Sequence, residues 1–176
     1  ISHMQIKQTI GKTLEDSFAA LTGVTDRNTL LAYKNEYKRE ADKYMTLNTK
    51  LFPETKNVLA ELKNRGAKIG IVSTKYRYTI NELIERDFAG GFFDIVVGCE
   101  DVAAPKPSPE GLFYALELLK GKTDNTLYIG DSVVDAEVAR AAGTDFVGVL
   151  HGTTTKKELS AYPHVNIAND LTVLIK

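Results

Sequence analysis

The sequence has little cysteine, no long apolar run and no excess of charge of either sign. Cys99 is the only cysteine among 176 residues, which excludes an internal disulfide and a zinc site built on several cysteines. We expect Cys99 to be a small buried residue in a strand. No apolar run approaches the roughly 20 residues of a membrane-spanning helix. The 22 basic and 23 acidic residues nearly cancel, so nothing indicates a nucleic-acid partner. These absences favour a cytoplasmic protein that binds neither nucleic acid nor a membrane.

The pattern of the chain changes at about residue 52. Residues 5 to about 50 favour helices throughout, because apolar side chains recur at three- to four-residue spacing in TLLAYKNEYKREADKYM. After LFPET, helical patterns alternate with short apolar runs. This alternation predicts an α/β fold with a parallel sheet that is covered by helices on both faces. We therefore predict a helical region in residues 1–52 and an α/β core in residues 53–176.

The elements predicted for the core alternate between helix and strand. Helices are expected from Pro53, over YTINELIERD, from Pro109 with Ser108 as N-cap, over VDAEVARAAG and over TTKKELSAYP. The predicted strands are AKIGIVST, FDIVVG, NTLYIGDS, DFVGVLHG and HVNIAND. Ligands of open parallel sheets lie outside the carboxyl ends of the strands. The residues that end each strand are therefore the candidates for a functional site.

The first two strand ends carry hydroxyl groups and a lysine. Ser73 and Thr74 end the first strand, where a hydroxyl and backbone N–H groups could hold a phosphate oxygen. Such residues are equally ordinary as helix caps. The second strand leads to Lys106, which Pro105 and Pro107 flank in a stiffened loop. A fixed ammonium there would neutralise a phosphate, although a solvated surface lysine is the alternative.

The third strand ends in two aspartates with a defined spacing. Asp131 follows Gly130, and Asp135 comes four residues later at the start of a predicted helix. Both carboxylates can then converge on one point, and Mg²⁺ is usually held by one or two carboxylates together with a phosphate. The alternative gives Asp131 the role of N-cap and Asp135 that of a partner for the helix dipole.

In this order, IVST, APKPSPE and YIGDSVVDAEVARAAG resemble the second, third and fourth motifs of the haloacid dehalogenase superfamily. Within it, the sequence is similar to phosphoglycolate phosphatases and related pyrophosphatases. The resemblance runs from about Pro53 to the C-terminus. It implies a three-layer Rossmann-like core in residues 53–176 and makes residues 1–52 part of a small α-helical cap.

The resemblance also implies an activity and roles for the candidate residues. The expected reaction is Mg²⁺-dependent hydrolysis of a small phosphorylated substrate, such as phosphoglycolate, through an aspartyl-phosphate. Ser73 and Thr74 would bind the phosphate, and Lys106 would bridge it to the nucleophile. Asp131 would hold Mg²⁺, and Asp135 would ligate it directly or act through Lys106 or water. His151 stands where relatives often have an aromatic residue, and we interpret it as structural.

The nucleophile motif is the element that the resemblance does not locate. TIGKTLEDSF resembles the end of D-x-D-G-T-L-x-D-S, but Thr9 and Gly11 occupy the two aspartate positions. With only ISHMQIKQ before it, this stretch is more typical of the cap, and residues 1–4 are either native cap sequence or a cloning remnant. We therefore expect an inactive chain that belongs to a longer polypeptide or repairs its sheet, for example as a homodimer. The alternatives are a regulatory domain that binds phosphate and metal without turnover, and a phosphomutase relative.

Overall fold

The computed structural model describes residues 1–176, except for the side chain of residue 42. None of the described helices combines the length and the apolar character that a membrane crossing requires. The chain forms an N-terminal helical region followed by alternating helices and parallel strands. The prediction of an α/β fold with a helical N-terminal region is confirmed.

The N-terminal region consists of three helices, α1 (His3–Lys7), α2 (Leu14–Thr22) and α3 (Arg27–Asn48). Side-chain caps define their starts, since the Thr13 hydroxyl and the Asp26 carboxylate each accept a backbone N–H of the following turn. Phe18 of α2 packs edge-on against Tyr33 and Tyr37 of α3, with ring centroids 5.8 and 6.1 Å apart. This aromatic contact holds the two helices together.

Residues beyond 52 supply the remaining helices and all strands. Their bounds are α4 (Thr55–Asn64), β1 (Gly70–Val72), α5 (Arg77–Asp87), β2 (Ile95–Val97), α6 (Glu110–Leu119), β3 (Leu127–Gly130), α7 (Val133–Ala142), β4 (Asp145–Val149), α8 (Lys156–Leu159) and β5 (Asn166–Ala168). Short 3₁₀ turns cover Cys99–Asp101, Thr123–Asn125 and Leu171–Leu174.

The strands form two parallel sheets instead of the single sheet that the pattern predicts. β1 pairs with β2, with Ile71 opposite Val96. The second sheet has the order β3-β4-β5, with Ile129 opposite Val147 and Gly148 opposite Ile167. No pairing joins β1 to β3 in the part of the chain that the structure describes. Both strands therefore present a backbone edge that is free to pair with one further strand.

The core lies between the three-stranded sheet and the helices that cover it. Its buried side chains are Leu112, Leu116, Tyr128, Ala136, Val138, Ala139, Phe146, Leu159 and Ile167. Three alanine and valine side chains of α7 are completely inaccessible to solvent. Such close packing allows no shift of α7 relative to β3 and β4 without loss of contacts. The first turn of α7, which carries Asp135, is consequently held in a fixed place.

Three local predictions were wrong in detail. Helix α4 starts at Thr55, not at Pro53. Helix α6 starts at Glu110 with Pro109 at the cap position, and Ser108 accepts a hydrogen bond from the Glu110 N–H across 3.3 Å without being the N-cap. Cys99 begins a 3₁₀ turn and is only half-buried, because β2 already ends at Val97. Burial raises the pKa of the Cys99 thiol to about 11, and it is therefore not a reactive thiolate at neutral pH.

Candidate active site

The end of β3 runs into α7 through a reciprocal capping arrangement. Ser132 is the N-cap of α7, and its hydroxyl accepts a hydrogen bond from the Asp135 N–H. In return, Asp135 Oδ2 accepts hydrogen bonds from the Ser132 N–H at 3.2 Å and from its hydroxyl at 2.6 Å. The alternative that made Asp131 the N-cap was wrong. Its carboxylate is free of capping and available for other chemistry.

Lys106 and Asp135 form a buried ion pair. Lys106 Nζ lies 2.6 Å from Asp135 Oδ1, and the two side chains are 13% and 9% exposed. Burial by itself lowers the pKa of Lys106, but Tyr128, Asp135 and Asp131 outweigh it, so that the pKa is raised and the ammonium persists. Tyr128 lies beside the pair, and burial raises the pKa of its phenol to about 12. The alternative of a solvated surface lysine was wrong.

The loop that carries Lys106 is held by the helix that follows it. The Glu110 carboxylate, in the first turn of α6, accepts hydrogen bonds from the N–H groups of Ala103 and Ala104 at 2.8 and 2.9 Å. These bonds use the favourable position of an acidic group at a helix N-terminus. The peptide bond between Lys106 and Pro107 is cis. The two Glu110 bonds hold the loop from which Lys106 reaches Asp135 of α7.

Close backbone approaches explain why glycine stands beside both aspartates. A Cβ atom at Gly130 would lie 2.2 Å from the Cβ atom of Asp135. A Cβ atom at Gly152 would lie 2.6 Å from Asp131 Oδ2. Neither distance is compatible with a side chain, since van der Waals contacts between such atoms occur at 3.5 Å or more. The glycines allow the strand end and the loop after β4 to pack directly against the two carboxylates.

The hydroxyl residues after β1 occupy the neighbouring strand end. The Ser73 N–H donates to the Val97 carbonyl at 2.9 Å, which extends the pairing of β1 with β2. The Ser73 hydroxyl accepts a hydrogen bond from the Lys75 N–H at 3.1 Å. The Thr74 hydroxyl donates to the Gly11 carbonyl at 3.5 Å. Ser73 therefore shapes the turn after β1, and Thr74 contacts the helical region.

The sequence did not predict that Gly11 lies close to Thr74 and Ser132. A Cβ atom at Gly11 would lie 3.6 Å from the Ser132 hydroxyl, while the Gly11 carbonyl accepts the Thr74 bond. The segment between α1 and α2 thus bridges the ends of β1 and β3. Gly11 has φ +97, a conformation that favours glycine, and a glycine between two helical patterns was the one available signal. The stretch TIGKTLEDSF follows a helix in the structure, and Asp16 accepts a hydrogen bond from the Thr13 hydroxyl at the start of α2.

These contacts connect most of the predicted site residues. Thr74 is hydrogen-bonded to Gly11, whose backbone lies close to Ser132, and Ser132 is hydrogen-bonded to Asp135, which pairs with Lys106. Asp131 precedes Ser132 and interacts electrostatically with Lys106 and Asp135. Ser73 lies at the same strand end but stays outside this chain of contacts. The functional roles of all these residues stay predictions.

The side chains at this strand end offer Mg²⁺ one free carboxylate, that of Asp131. Both oxygens of Asp135 are occupied by Lys106 and Ser132. Asp131 is half-buried; burial first and Asp135 second raise the pKa of its carboxyl, which Lys106 and His151 oppose. No group of three or more metal-ligating side chains occurs among the described residues. The charge of the Asp131 carboxylate is thus only partly balanced by its neighbours. One such carboxylate fits Mg²⁺, because this ion keeps several water ligands and takes oxygens from a phosphate.

A second polar pair next to Asp131 was also missed. His151 Nε2 lies 3.0 Å from Glu54 Oε1, and the His151 ring stacks on Phe52 with centroids 3.8 Å apart. Glu54 gave no signal in the sequence, because it is separated from His151 by almost a hundred residues. The sequence indicated only that His151 stands at a loop position where relatives often have an aromatic residue, and predicted a structural role.

Comparison with known proteins places this geometry in a family. A family model described as haloacid dehalogenase-like hydrolase matches residues 1–149. Pyrophosphatase PpaX of Bacillus mycoides is 35% identical over 153 residues, which cover 87% of this chain and 69% of that protein. Pyrophosphatase PpaX of Oceanobacillus iheyensis is 27% identical over 174 residues, covering 99% and 79%.

Solved structures agree with this result. The crystal structure of a protein from Bacteroides fragilis, described as a haloacid dehalogenase-like hydrolase, has a TM-score of 0.96 and 49% identity over 99% of this chain and 83% of that one. A structure from Lactobacillus plantarum, assigned as a phosphoglycolate phosphatase, has a TM-score of 0.85 over 99% and 82%. Its 21% identity supports the fold alone. The chain belongs to the haloacid dehalogenase-like hydrolase family.

Proposed function

We propose that this chain provides the phosphate- and metal-binding part of a magnesium-dependent phosphatase that acts on a small phosphate ester. The observation that carries the proposal is the buried Lys106–Asp135 pair at 2.6 Å beside the half-buried Asp131. A fixed ammonium next to a carboxylate that is free for a cation suits the binding of a dianionic phosphoryl group. The name of the sequence relatives, pyrophosphatase, supports a phosphate-containing substrate.

Each side chain has a part in this proposal. Lys106 donates to an equatorial oxygen of the phosphoryl group and to the attacking carboxylate, and Asp135 keeps its ammonium in place. The Ser73 hydroxyl and the Thr74 N–H bind a second phosphate oxygen. Asp131 would hold Mg²⁺, which supplies a Lewis acid that neutralises charge on the phosphate. Asp135 acts through Lys106, since both of its oxygens are already engaged.

The attacking carboxylate is proposed to come from a strand that fits between β1 and β3. These two strands end at the proposed phosphate site and each has a free edge. A carboxylate at the end of such a strand would attack phosphorus, release the substrate alcohol and form an aspartyl-phosphate. Water would then attack this phosphorus, regenerate the carboxylate and release inorganic phosphate. A homodimer that covers the same edges stays a prediction, as does a cytoplasmic location.

The helical region is proposed to act as a cap. It contacts the core through Gly11 at the site and through Arg86 of α5, whose guanidinium donates to the Thr46 and Thr49 carbonyls at the end of α3. Lys38 of α3 also lies 3.9 Å from the centroid of the Tyr76 ring. A cap in this place would exclude water from the phosphoryl group and limit the size of the leaving group.

Hydrolysis of p-nitrophenyl phosphate tests the proposal. We expect residues 1–176 to show no Mg²⁺-dependent turnover, and a chain extended at its N-terminus by a strand ending in D-x-D to turn over. Phosphoglycolate and pyrophosphate, compared by kcat/KM, then identify the leaving group. Turnover by residues 1–176 alone would show that one of their own carboxylates attacks, and would refute the proposed origin of the nucleophile.

A regulatory domain without turnover is the second candidate. It is consistent with the place of Asp16, an exposed residue whose carboxylate accepts the Thr13 hydroxyl at a helix start and is not part of the Lys106 cluster. This candidate predicts that the extended chain binds phosphate and Mg²⁺ but hydrolyses nothing. The same assay, combined with calorimetry, therefore separates the two functions.

A further inference from the structure

Three side chains that the proposed reaction does not use meet beside Asp131. Phe52 and Glu54 lie in the segment that connects α3 to α4, and His151 follows β4. The rings of Phe52 and His151 stack with an interplanar angle of 16° and a centroid distance of 3.8 Å. His151 Nε2 approaches Glu54 Oε1 to 3.0 Å. One imidazole therefore serves both as a stacking surface and as a polar partner.

The Glu54–His151 pair is buried, and the Oε1 atom of Glu54 has its close polar neighbour in the His151 ring. Glu54 and His151 have side chains that are 16% and 12% exposed. The Oε1 atom of Glu54 is fully buried and accepts no hydrogen bond of good geometry within the described residues. A buried carboxylate oxygen is costly without compensation. The close approach of the His151 ring, together with the favourable N-terminus of α4, supplies that compensation.

The pair acts on a loop that touches Asp131. Gly152 follows His151 directly, and its backbone packs so closely on Asp131 that a Cβ atom there would lie 2.6 Å from Oδ2. Carboxylates from three places in the chain interact with His151: Glu54 at the N-cap of α4, Asp131 after β3 and Asp170 after β5. The loop is thus held by Glu54 on one side and limits the position of Asp131 on the other.

We propose that Glu54 and His151 are positioning residues, which hold the loop of residues 150–152 against Asp131 and thereby set the affinity of the site for Mg²⁺. Because Phe52 and Glu54 belong to the connection between the helical region and the core, the same contacts tie that connection to the metal-binding carboxylate. The inference rests on the proposed function, since it takes Asp131 as the carboxylate that holds Mg²⁺.

The chemistry of the three side chains argues for more than packing. Stacking on Phe52 requires only an aromatic ring, which phenylalanine would provide at position 151. The imidazole nitrogen is needed because Glu54 is present. A change at either residue of the pair should therefore be corrected by a matching change at the other, whereas a purely apolar contact would show no such coupling.

Calorimetric titration of the chain with MgCl₂ tests this inference without any need for turnover. We expect His151→Phe to weaken Mg²⁺ binding about tenfold or more, as changes beside metal ligands do, because Glu54 loses its partner and the loop shifts. The double variant His151→Phe/Glu54→Gln should recover most of the affinity, since a neutral amide costs less to bury without a partner than a carboxylate does. His164→Phe, at an exposed histidine, is the matched control and should bind Mg²⁺ like the unchanged chain.

The other outcomes are distinguishable. Equal Mg²⁺ affinity in His151→Phe, even with a lower melting temperature, would refute the inference and leave the proposed function intact. Tighter binding in this variant would also refute it, because the His151 side chain would then oppose Mg²⁺ binding. If the unchanged chain binds no Mg²⁺, both the inference and the metal role of Asp131 fail. Hydrolysis by the extended chain decides separately whether the phosphatase proposal survives.

Discussion

We expect Asp135→Asn to lower the free energy of unfolding by about 3 kcal/mol, because it leaves the Lys106 ammonium buried without its hydrogen-bonded counter-charge. The two groups are 2.6 Å apart and almost completely excluded from solvent. The substitution also weakens the bonds that Asp135 Oδ2 accepts from the N–H and hydroxyl of Ser132. Urea denaturation followed by circular dichroism measures this loss.

Two further variants make the interpretation specific. Lys106→Met/Asp135→Leu removes both charges and should recover much of the stability that either single change loses, since apolar side chains often replace a buried ion pair without cost. Asp131→Asn is the matched control. Its carboxyl pKa is raised, burial being the main cause, so that the charge at this position is not a source of stability. We expect a change within about 0.5 kcal/mol. A loss at Asp135→Asn no greater than at Asp131→Asn would contradict the buried-pair account.

The second large effect is on turnover. Asp131, whose substitution should barely change stability, is the aspartate whose loss should reduce activity most directly. In an extended chain that hydrolyses phosphate esters, we expect Asp131→Asn to lower kcat/KM about 1,000-fold, because stabilisation of several kcal/mol would be lost with the proposed metal-binding carboxylate. The same substitution should leave the unfolding free energy nearly unchanged. This dissociation separates a residue that acts on the substrate complex from one that maintains the fold.

Steady-state kinetics at several Mg²⁺ concentrations check this prediction. A neutral amide still offers one oxygen, so that high Mg²⁺ should restore part of the activity of Asp131→Asn. Asp124→Asn makes the same substitution at an exposed aspartate outside the site. It is the control and should retain full activity. An Asp131→Asn variant with more than about a tenth of the normal kcat/KM would exclude a central role for this carboxylate.

The positions of Asp131 and Asp135 could be predicted because the pattern that places them lies within a few neighbouring residues of the sequence. A short apolar run followed by glycine, an aspartate and an amphipathic pattern predicts a strand, a turn and a helix start. The structure has β3 end at Gly130 and α7 begin at Val133. Lys106 could be identified from its flanking prolines. Its burial against Asp135 could not, because the contact joins residues that are 29 positions apart.

Other features depend on tertiary packing between distant parts of the chain, and no single window of the sequence shows which residues will meet. The Glu54–His151 contact and the approach of Gly11 to Ser132 join distant parts of the chain. The division of the strands into two sheets is likewise a property of strand order, which periodicity does not encode. Alternation of helices and strands predicts a parallel arrangement, but it does not tell which strands are neighbours.

The central claim is that the residues ending β1 and β3, together with Lys106, form one phosphate and metal site. A crystal structure of the chain with MnCl₂ and phosphate tests it most directly, since Mn²⁺ substitutes for Mg²⁺ in oxygen sites and is located by its anomalous scattering. The account predicts an anomalous peak in contact with the Asp131 carboxylate and a phosphate between Lys106 and the Ser73–Thr74 turn. Manganese bound elsewhere, or phosphate absent from this turn while the Lys106–Asp135 pair is intact, would contradict it.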